Sequence, residues 1–539
     1  MKKIICIVFS VLMVLSMTAC SGEEDIPANQ IINYHITEEP VTLDPQIAND
    51  DAARLVITNI FEGLVRLDKD NQVSPGAAEK WTVDENGLVY TFYLRKDLCW
   101  SDGTELTAND FVYGIQRAIQ PSTGSETADT LFCIKNAEAV HTGEKALSEL
   151  GVSASGEKTV CVELEYTNAD FLELMATPPA MPCNQKYFEE SGGQYGRDAD
   201  KILSNGAFTV KQNGWEHGKY IYLRRNDKYQ GENDTIPAGV DITMGESPAD
   251  VTAAIMDGTI DCYALPTEEA ENARQQGLQL TSYADTVWGI AFNVNTDALK
   301  YKGIRCALLA SLNRSTILDQ LPAGSVEARY IIPDNAQFNG GSYRAAFDSN
   351  ISYITFSSDA KQQMKNSLDA AELQQMPNLN ILCTDDDKTQ KIVNHIIQSW
   401  NALTNTYVNK TPVSRSEVIN RVAQGDYNVI IAPLIVDGES PVDTLKLFES
   451  SSPYNPSHLN DSTYDAYISD IKSFSDYSAL NLMVNAERYL NENAIFYPLY
   501  LEKRYYASAA NVSGIIFHPY GGEVDFIGAT KTQKINSEE

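Results

Sequence analysis

The chain has 539 residues, 43% of them hydrophobic and 21% charged, and a formal net charge of −32 at pH 7. That length exceeds what a single hydrophobic core usually holds, so two or three lobes are expected, with the composition of an ordinary globular protein. The acidic excess repels phosphate backbones and excludes a role in tracking nucleic acid.

Lys2 and Lys3 precede the mostly apolar run Ile4–Leu15, and Ser16-Met17-Thr18-Ala19-Cys20 follows. A charged start, a short apolar core and small residues at the cut make a secretory signal. The run is too short to span a bilayer, which takes roughly 20 residues. Cys20 directly after the small residues resembles the lipobox of bacterial lipoproteins, although Met17 stands where Leu is common. The expectation is a signal peptide over residues 1–19, a lipid on Cys20, and a polar tether over 20–27. An ordinary secretory signal with an incidental Cys is the alternative. Removing residues 1–19 removes two lysines and no acid, which takes the charge to about −34.

Extended segments are predicted at Asn33–Ile36 and Val41–Asp44. The spacing of Leu55, Ile57, Ile60, Phe61 and Leu64 predicts a helix over Ala52–Leu64. Val89–Arg95 alternates as a strand, with Tyr90, Phe92 and Leu94 on one side. Thr107-Ala108-Asn109-Asp110 starts a helix as a capping box, with Phe111, Ile115, Ala118 and Ile119 as its apolar face. Thr159–Leu164 is a strand, and Phe208–Val210 with Tyr220–Arg224 reads as a hairpin. Gly289–Val294 is an apolar strand, with Trp288 and Phe292 expected in the core. A buried helix begins at Arg305. Asn380–Cys383 is a strand whose following acids, Asp385-Asp386-Asp387, cap a long helix carrying Ile392, Ile396, Trp400 and Leu403 on its face. The continuous apolar run Val429–Val436 fits a strand buried on both faces, with a bulge or strand end at Pro433. Strand–helix units mixed with hairpins indicate an α/β fold combined with α+β regions.

Chemistry-bearing patterns are missing from the sequence. Seven cysteines remain after Cys6 and Cys20, without CxxC or zinc-type spacing. They read as small buried residues with one disulfide at most. The six histidines form no HExxH or i, i+4 pair, and no GxSxG, GxGxxG or P-loop occurs. No catalytic residue, metal site or cofactor is expected.

The stretch 59–117 carries a resemblance. Its pieces are Phe61-Glu62-Gly63-Leu64, Pro75-Gly76-Ala77-Ala78-Glu79-Lys80-Trp81, Tyr90–Arg95, Trp100-Ser101-Asp102-Gly103 and Leu106–Val112. In this order they closely resemble the signature region of family 5 extracellular solute-binding proteins, the oligopeptide-binding group of ABC importers. Weaker matches follow at Leu43-Asp44-Pro45, Ser204-Asn205-Gly206-Ala207-Phe208, Phe292-Asn293, Ile304-Arg305, Asn313-Arg314, Gly425-Asp426-Tyr427 and Pro498-Leu499-Tyr500. The resemblance implies an α/β, two-lobe periplasmic-binding-protein-like clamp with an extra subdomain on the N-terminal lobe. It implies lobe I over 28–63, 200–284 and 500–539, the extra subdomain over 64–199, and lobe II over 285–499. It also implies a monomer that holds an oligopeptide ligand and meets ABC-transporter permease subunits at the outer face of the cell membrane.

Two segments match the family's ligand-binding positions. One is Asn49, Asp50 and Asp51; the other is Leu434, Ile435, Val436 and Asp437. In the family an Asp at the place of Asp437 accepts the free α-amino group of the peptide. Leu434 and Gly438 depart from the aromatic residues usual there. Read as residues alone, Asn49–Asp51 also fit a polar turn before the helix, and Asp437 a strand-end loop acid. A nickel complex, an oligosaccharide or a signalling peptide stays open as the solute. A surface hydrolase is the reading from another class, and the missing nucleophile and metal motifs argue against it.

Overall fold

The computed structural model describes residues 27–533, except 169, 232–236, 266, 322–324, 339–340, 347–350, 352–353, 435, 437–439, 472–476 and 519–523. The signal sequence, Cys20 and most of the tether lie outside the described residues. Two lobes are present, and they share two long strands.

The N-terminal lobe opens with β1 (Ile31–Ile36) and α1 (Asp51–Ile60). The helix is shorter at its end than its periodicity predicts, because Phe61 turns to extended backbone. Next come β2 (Ala78–Val83), β3 (Val89–Leu94), α2 (Ala108–Ile119), β4 (Val152–Ala154) and β5 (Thr159–Glu163). The four strands form an antiparallel sheet in the order β2-β3-β5-β4, with α2 packed on β4 and β5. The capping box of α2 is present: the Asp110 carboxylate accepts from the Thr107 N–H at 2.7 Å. Then β6 (Phe208–Glu216), β7 (Tyr220–Arg225) and β8 (Gly239–Met244) join β1 in the order β1-β8-β7-β6, with β1 parallel to β8. Val41–Asp44 forms no strand.

Three of the matched sequence segments lock together here. Glu62, 3% exposed, accepts from Arg95 at 2.6 Å and from the Tyr229 hydroxyl at 2.5 Å. The Asn205 side chain pairs with both backbone groups of Glu62, at 2.8 and 3.1 Å. Gly206 lies so close to the end of α1 that a Cβ there would meet the Ile60 carbonyl carbon at 2.6 Å. A fourth match is also structural. Asp44 is bound by Arg117 of α2 at 2.8 and 3.1 Å, and both are buried. The Arg117 guanidinium sits 3.7 Å from the Phe188 ring centre. The sharpest sequence matches thus specify the interior of this lobe, where buried charges must be paired.

The largest sheet contains β9 (Cys262–Leu265), β10 (Gln279–Phe292), β11 (Leu379–Thr384), β12 (Val408–Val413), β13 (Val429–Leu434) and β14 (Phe496–Ser508). Their order is β9-β14-β10-β13-β11-β12, and the short strand Val326–Glu327 pairs with β14. β10 is far longer than the expected Gly289–Val294, since its first half carries no apolar run. It pairs antiparallel with β14 from Gln279↔Ser508 to Ala291↔Phe496, and the register slips between Ala284 and Thr286. One core gathers residues from Ile32 to Leu278 and from Tyr505 to Ala529. Two others draw on Val287 to Leu501, one on each face of the sheet. The β10–β14 ribbon therefore carries the chain from one lobe to the other, with an irregular register where it passes. Such an irregularity bends a ribbon.

The apolar run at β13 enters two cores as predicted, but Pro433 stays in the ladder opposite Trp288 and the strand runs on to Leu434. Val429 and Ile431 enter one core, while Ile430 and Leu434 enter the other. Asp386 caps α3 (Asp387–Thr404), accepting from the Thr389 N–H at 2.8 Å. All seven described cysteines are free, four of them buried. Among the described residues no helix is long and apolar enough to cross a membrane.

Candidate functional site

A cavity of about 1320 Å³ lies between the lobes, and both contribute to its wall. Its position follows from the sheet. β11 and β13 run parallel but pair only at Ile381↔Val429 and Leu382↔Ile430. Beyond those pairs β11 continues beside β12, while β13 stays beside β10. The C-terminal ends of the two parallel strands diverge, and the cavity occupies the gap. Thr384, Asp385 and Asp386 line it from the β11 side, and Ala432, Pro433 and Leu434 from the β13 side. Crevices at the carboxyl ends of parallel strands are where open α/β sheets place ligands. Past Ile430, β13 has no ladder partner on its β11 side among the described residues, so that edge can pair with an extended guest.

One wall is aromatic. Trp288 of β10 lies opposite Pro433 and next to Tyr500 of β14. Its indole is parallel to the Tyr500 ring within 7°, with centres 5.7 Å apart. The indole N–H donates to Glu502 at 2.7 Å, and Lys388 donates to the same carboxylate at 2.5 Å. The Lys388 ammonium stands 5.3 Å from the Tyr500 ring centre. Stacking, a charge-assisted hydrogen bond and a nearby cation thus fix the orientation of Trp288. The sequence placed Trp288 in the core; the structure makes it a cavity wall. A strand buried on both faces gives no sequence cue as to which side opens.

The opposite wall holds Asp170, at the start of the short helix Phe171–Leu174 in the N-terminal lobe. Across the cleft it faces α4 (Pro441–Lys446). Burial pushes the Asp170 carboxyl up to about 6, and the charge of Asp443 adds to this. A hydrogen bond from Ser440 and the Lys446 ammonium act in the other direction. Asp386 is held below the usual carboxylate range: burial alone would raise it, but the Thr384 hydroxyl and the Thr389 N–H outweigh that. Burial pushes the Cys133 thiol up to about 11, so it stays protonated near neutrality. Asp170 carried no sequence signal, because an acid ahead of a helix reads as a cap.

The sequence-derived site residues separate into three groups. Leu434 and Val436 line the cavity. Asn49, Asp50 and Asp51 do not, although their neighbours Ala48 and Arg54 do. Asn49 donates to Glu126, Asp50 caps α1 by accepting from the Ala53 N–H at 2.8 Å, and Asp51 pairs with Arg54. Ile435 and Asp437 lie outside the described residues. No group of three or more His, Cys, Asp or Glu among the described residues is placed to hold a metal ion.

A profile of the bacterial extracellular solute-binding proteins, family 5, matches residues 72–456. The chain belongs to this family. It is 26% identical over 517 residues to the oligopeptide-binding protein OppA of Bacillus subtilis, covering 94% of each chain. Among solved structures, it superposes on the substrate-binding domain of an oligopeptide ABC transporter from Bacillus anthracis with a TM-score of 0.71 and 28% identity, covering 94% of this chain and 100% of that one. The murein tripeptide binding protein MppA of Escherichia coli gives 0.73 at 25% identity, covering 94% and 99%. The family and these relatives are binding proteins rather than enzymes.

Proposed function

We propose that this protein captures short peptides in the cavity between its lobes and delivers them to the permease of an ABC importer. The carrying observation is the cavity at the diverging ends of β11 and β13, walled by both lobes. A peptide laid along the open edge of β13 makes main-chain hydrogen bonds that do not depend on its sequence. Side chains then enter a roomy space in which water fills what they leave. The β10–β14 ribbon, irregular at its passage between lobes, serves as the hinge on which they close. The names of the B. subtilis relatives, an oligopeptide-binding and a dipeptide-binding protein, support the ligand class.

In this reading Cys20 carries a lipid that holds the protein, a monomer, at the outer face of the membrane. Asp437, next after the cavity-lining Val436, receives the peptide's α-ammonium, while Asn49–Asp51 approach the guest from the other lobe. A carboxylate paired with an ammonium makes a strong charge-assisted contact, and leaving it unpaired is costly.

The test is retention of ligand. The purified protein is equilibrated with a pool of di- to hexapeptides, and mass spectrometry identifies what stays bound. Peptides are expected; retention of a nickel chelate or an oligosaccharide in their place refutes the reading. Asp437→Asn should weaken free-amine peptides by roughly 2–5 kcal/mol and N-acetylated ones much less. Additive losses in that double cycle remove Asp437 from the amine site.

A further inference from the structure

We propose that the peptides this cavity prefers have an apolar frame and carry positive charge on their side chains, an inference that rests on the peptide-binding reading above. The frame follows from the wall. Trp288, Phe338, Ile430, Leu434 and Met483 give it large apolar faces. The charge follows from a count with a clear imbalance: among the described lining residues there are six carboxylates and only two cations, Arg54 and Lys446.

Both cations already face an acid. Arg54 is paired with Asp51, and Lys446 lies 3.9 Å from Asp443. Lys446 also acts on Asp170, but neither cation forms an ion pair with Asp129, Asp385 or Asp386 among the described residues. Asp129 and Asp385 have no ion-pair partner among the described residues. Asp386 accepts from a hydroxyl and a backbone N–H, and the one further cation that acts on it, Lys388, is already paired with Glu502.

The acids also stand on opposite lips. Asp129 and Asp170 belong to the N-terminal lobe, Asp385 and Asp386 to the C-terminal lobe. Drawing the lobes together without a guest brings like charges toward each other across the cleft. A Lys or Arg side chain between the lips replaces that repulsion with two attractions, so it favours both binding and closure. An acidic side chain adds to the repulsion. The net charge of −32 extends the same preference outward, since a strongly negative surface raises the local concentration of cations.

The experiment is a titration series with pentapeptides of one apolar frame and free termini, differing only at the central residue: Lys, Gln or Glu. Calorimetry at pH 7.5 is run in 50 mM and 500 mM salt. The expected order is Lys, then Gln, then Glu, with roughly tenfold or more between Lys and Glu at low salt and a smaller ratio at high salt, as screening demands. The double variant Asp129→Asn, Asp385→Asn should reduce that ratio severalfold, and an unchanged Lys-to-Glu ratio in it overturns the assignment to these acids. Equal binding of all three peptides, or preference for Glu, overturns the charge inference and leaves peptide capture standing. Failure of all three to bind overturns both.

Discussion

Replacing Asp170 by Asn should make closure of the empty clamp almost independent of pH. Asp170 belongs to the N-terminal lobe, and its described partners, Ser440, Asp443 and Lys446, belong to the other. Its carboxyl value of about 6, against 3.8 in water, comes first from burial and then from Asp443 across the cleft, so it belongs to the arrangement in which the two lobes meet there. Closed protein binds this proton more tightly than open protein does. The associated stabilisation of the closed form is complete below about pH 4 and is lost as pH rises through 6. Above pH 6 the charged carboxylate costs the closed form about 3 kcal/mol, or roughly 150-fold in the ratio of closed to open. Asn keeps an oxygen for the Ser440 hydroxyl and carries no charge. The variant should favour closure at pH 7.5 by up to that amount and match the wild type near pH 4. Small-angle scattering of ligand-free protein between pH 4 and 8 reads the outcome as radius of gyration. A wild-type radius that grows above pH 5 and an Asp170→Asn radius that stays small support the argument. Parallel pH curves for the two proteins refute it, because the responsible group would then lie elsewhere.

Arg117→Met leaves Asp44 buried without its partner and should cost about 3–5 kcal/mol of stability, measured by denaturant unfolding of the ligand-free protein. A loss under 1 kcal/mol would mean that water reaches Asp44 freely. Trp288→Ala removes the aromatic wall and should weaken peptide binding by about 2 kcal/mol, with Trp288→Phe losing less; calorimetry distinguishes the two. Cys20→Ala should move the protein from the membrane fraction to the soluble fraction or leave it unprocessed, because two acyl chains suffice for stable anchoring. Cleaved variant that stays fully membrane-bound contradicts the lipid assignment.

Local physics was legible from residues alone. Asp386 caps α3 and Thr107 with Asp110 caps α2, because a capping oxygen needs only an N–H within three residues along the chain. The two-sided burial of β13 was written in an unbroken apolar run. Asp50 turned out to be the cap of α1, one of two roles its sequence context allowed. Motif order was enough to indicate the family and the clamp. The structure shows why those motifs are so sharp: Glu62, Arg95 and Asn205 must meet inside one lobe, as must Asp44 and Arg117, and a buried charge tolerates few substitutes.

What only the tertiary structure decided concerns contacts that leave no periodic trace. The first half of β10 alternates too weakly to read as a strand, and pairing with β14 along its whole length makes it one. Trp288 is a cavity wall because β11 and β13 part beside it, and Asp170 becomes a cleft acid because α4 of the other lobe packs against it. The cavity arises where segments distant in the chain meet or separate, and spacing along a sequence records neighbours along the chain, not those across a cleft.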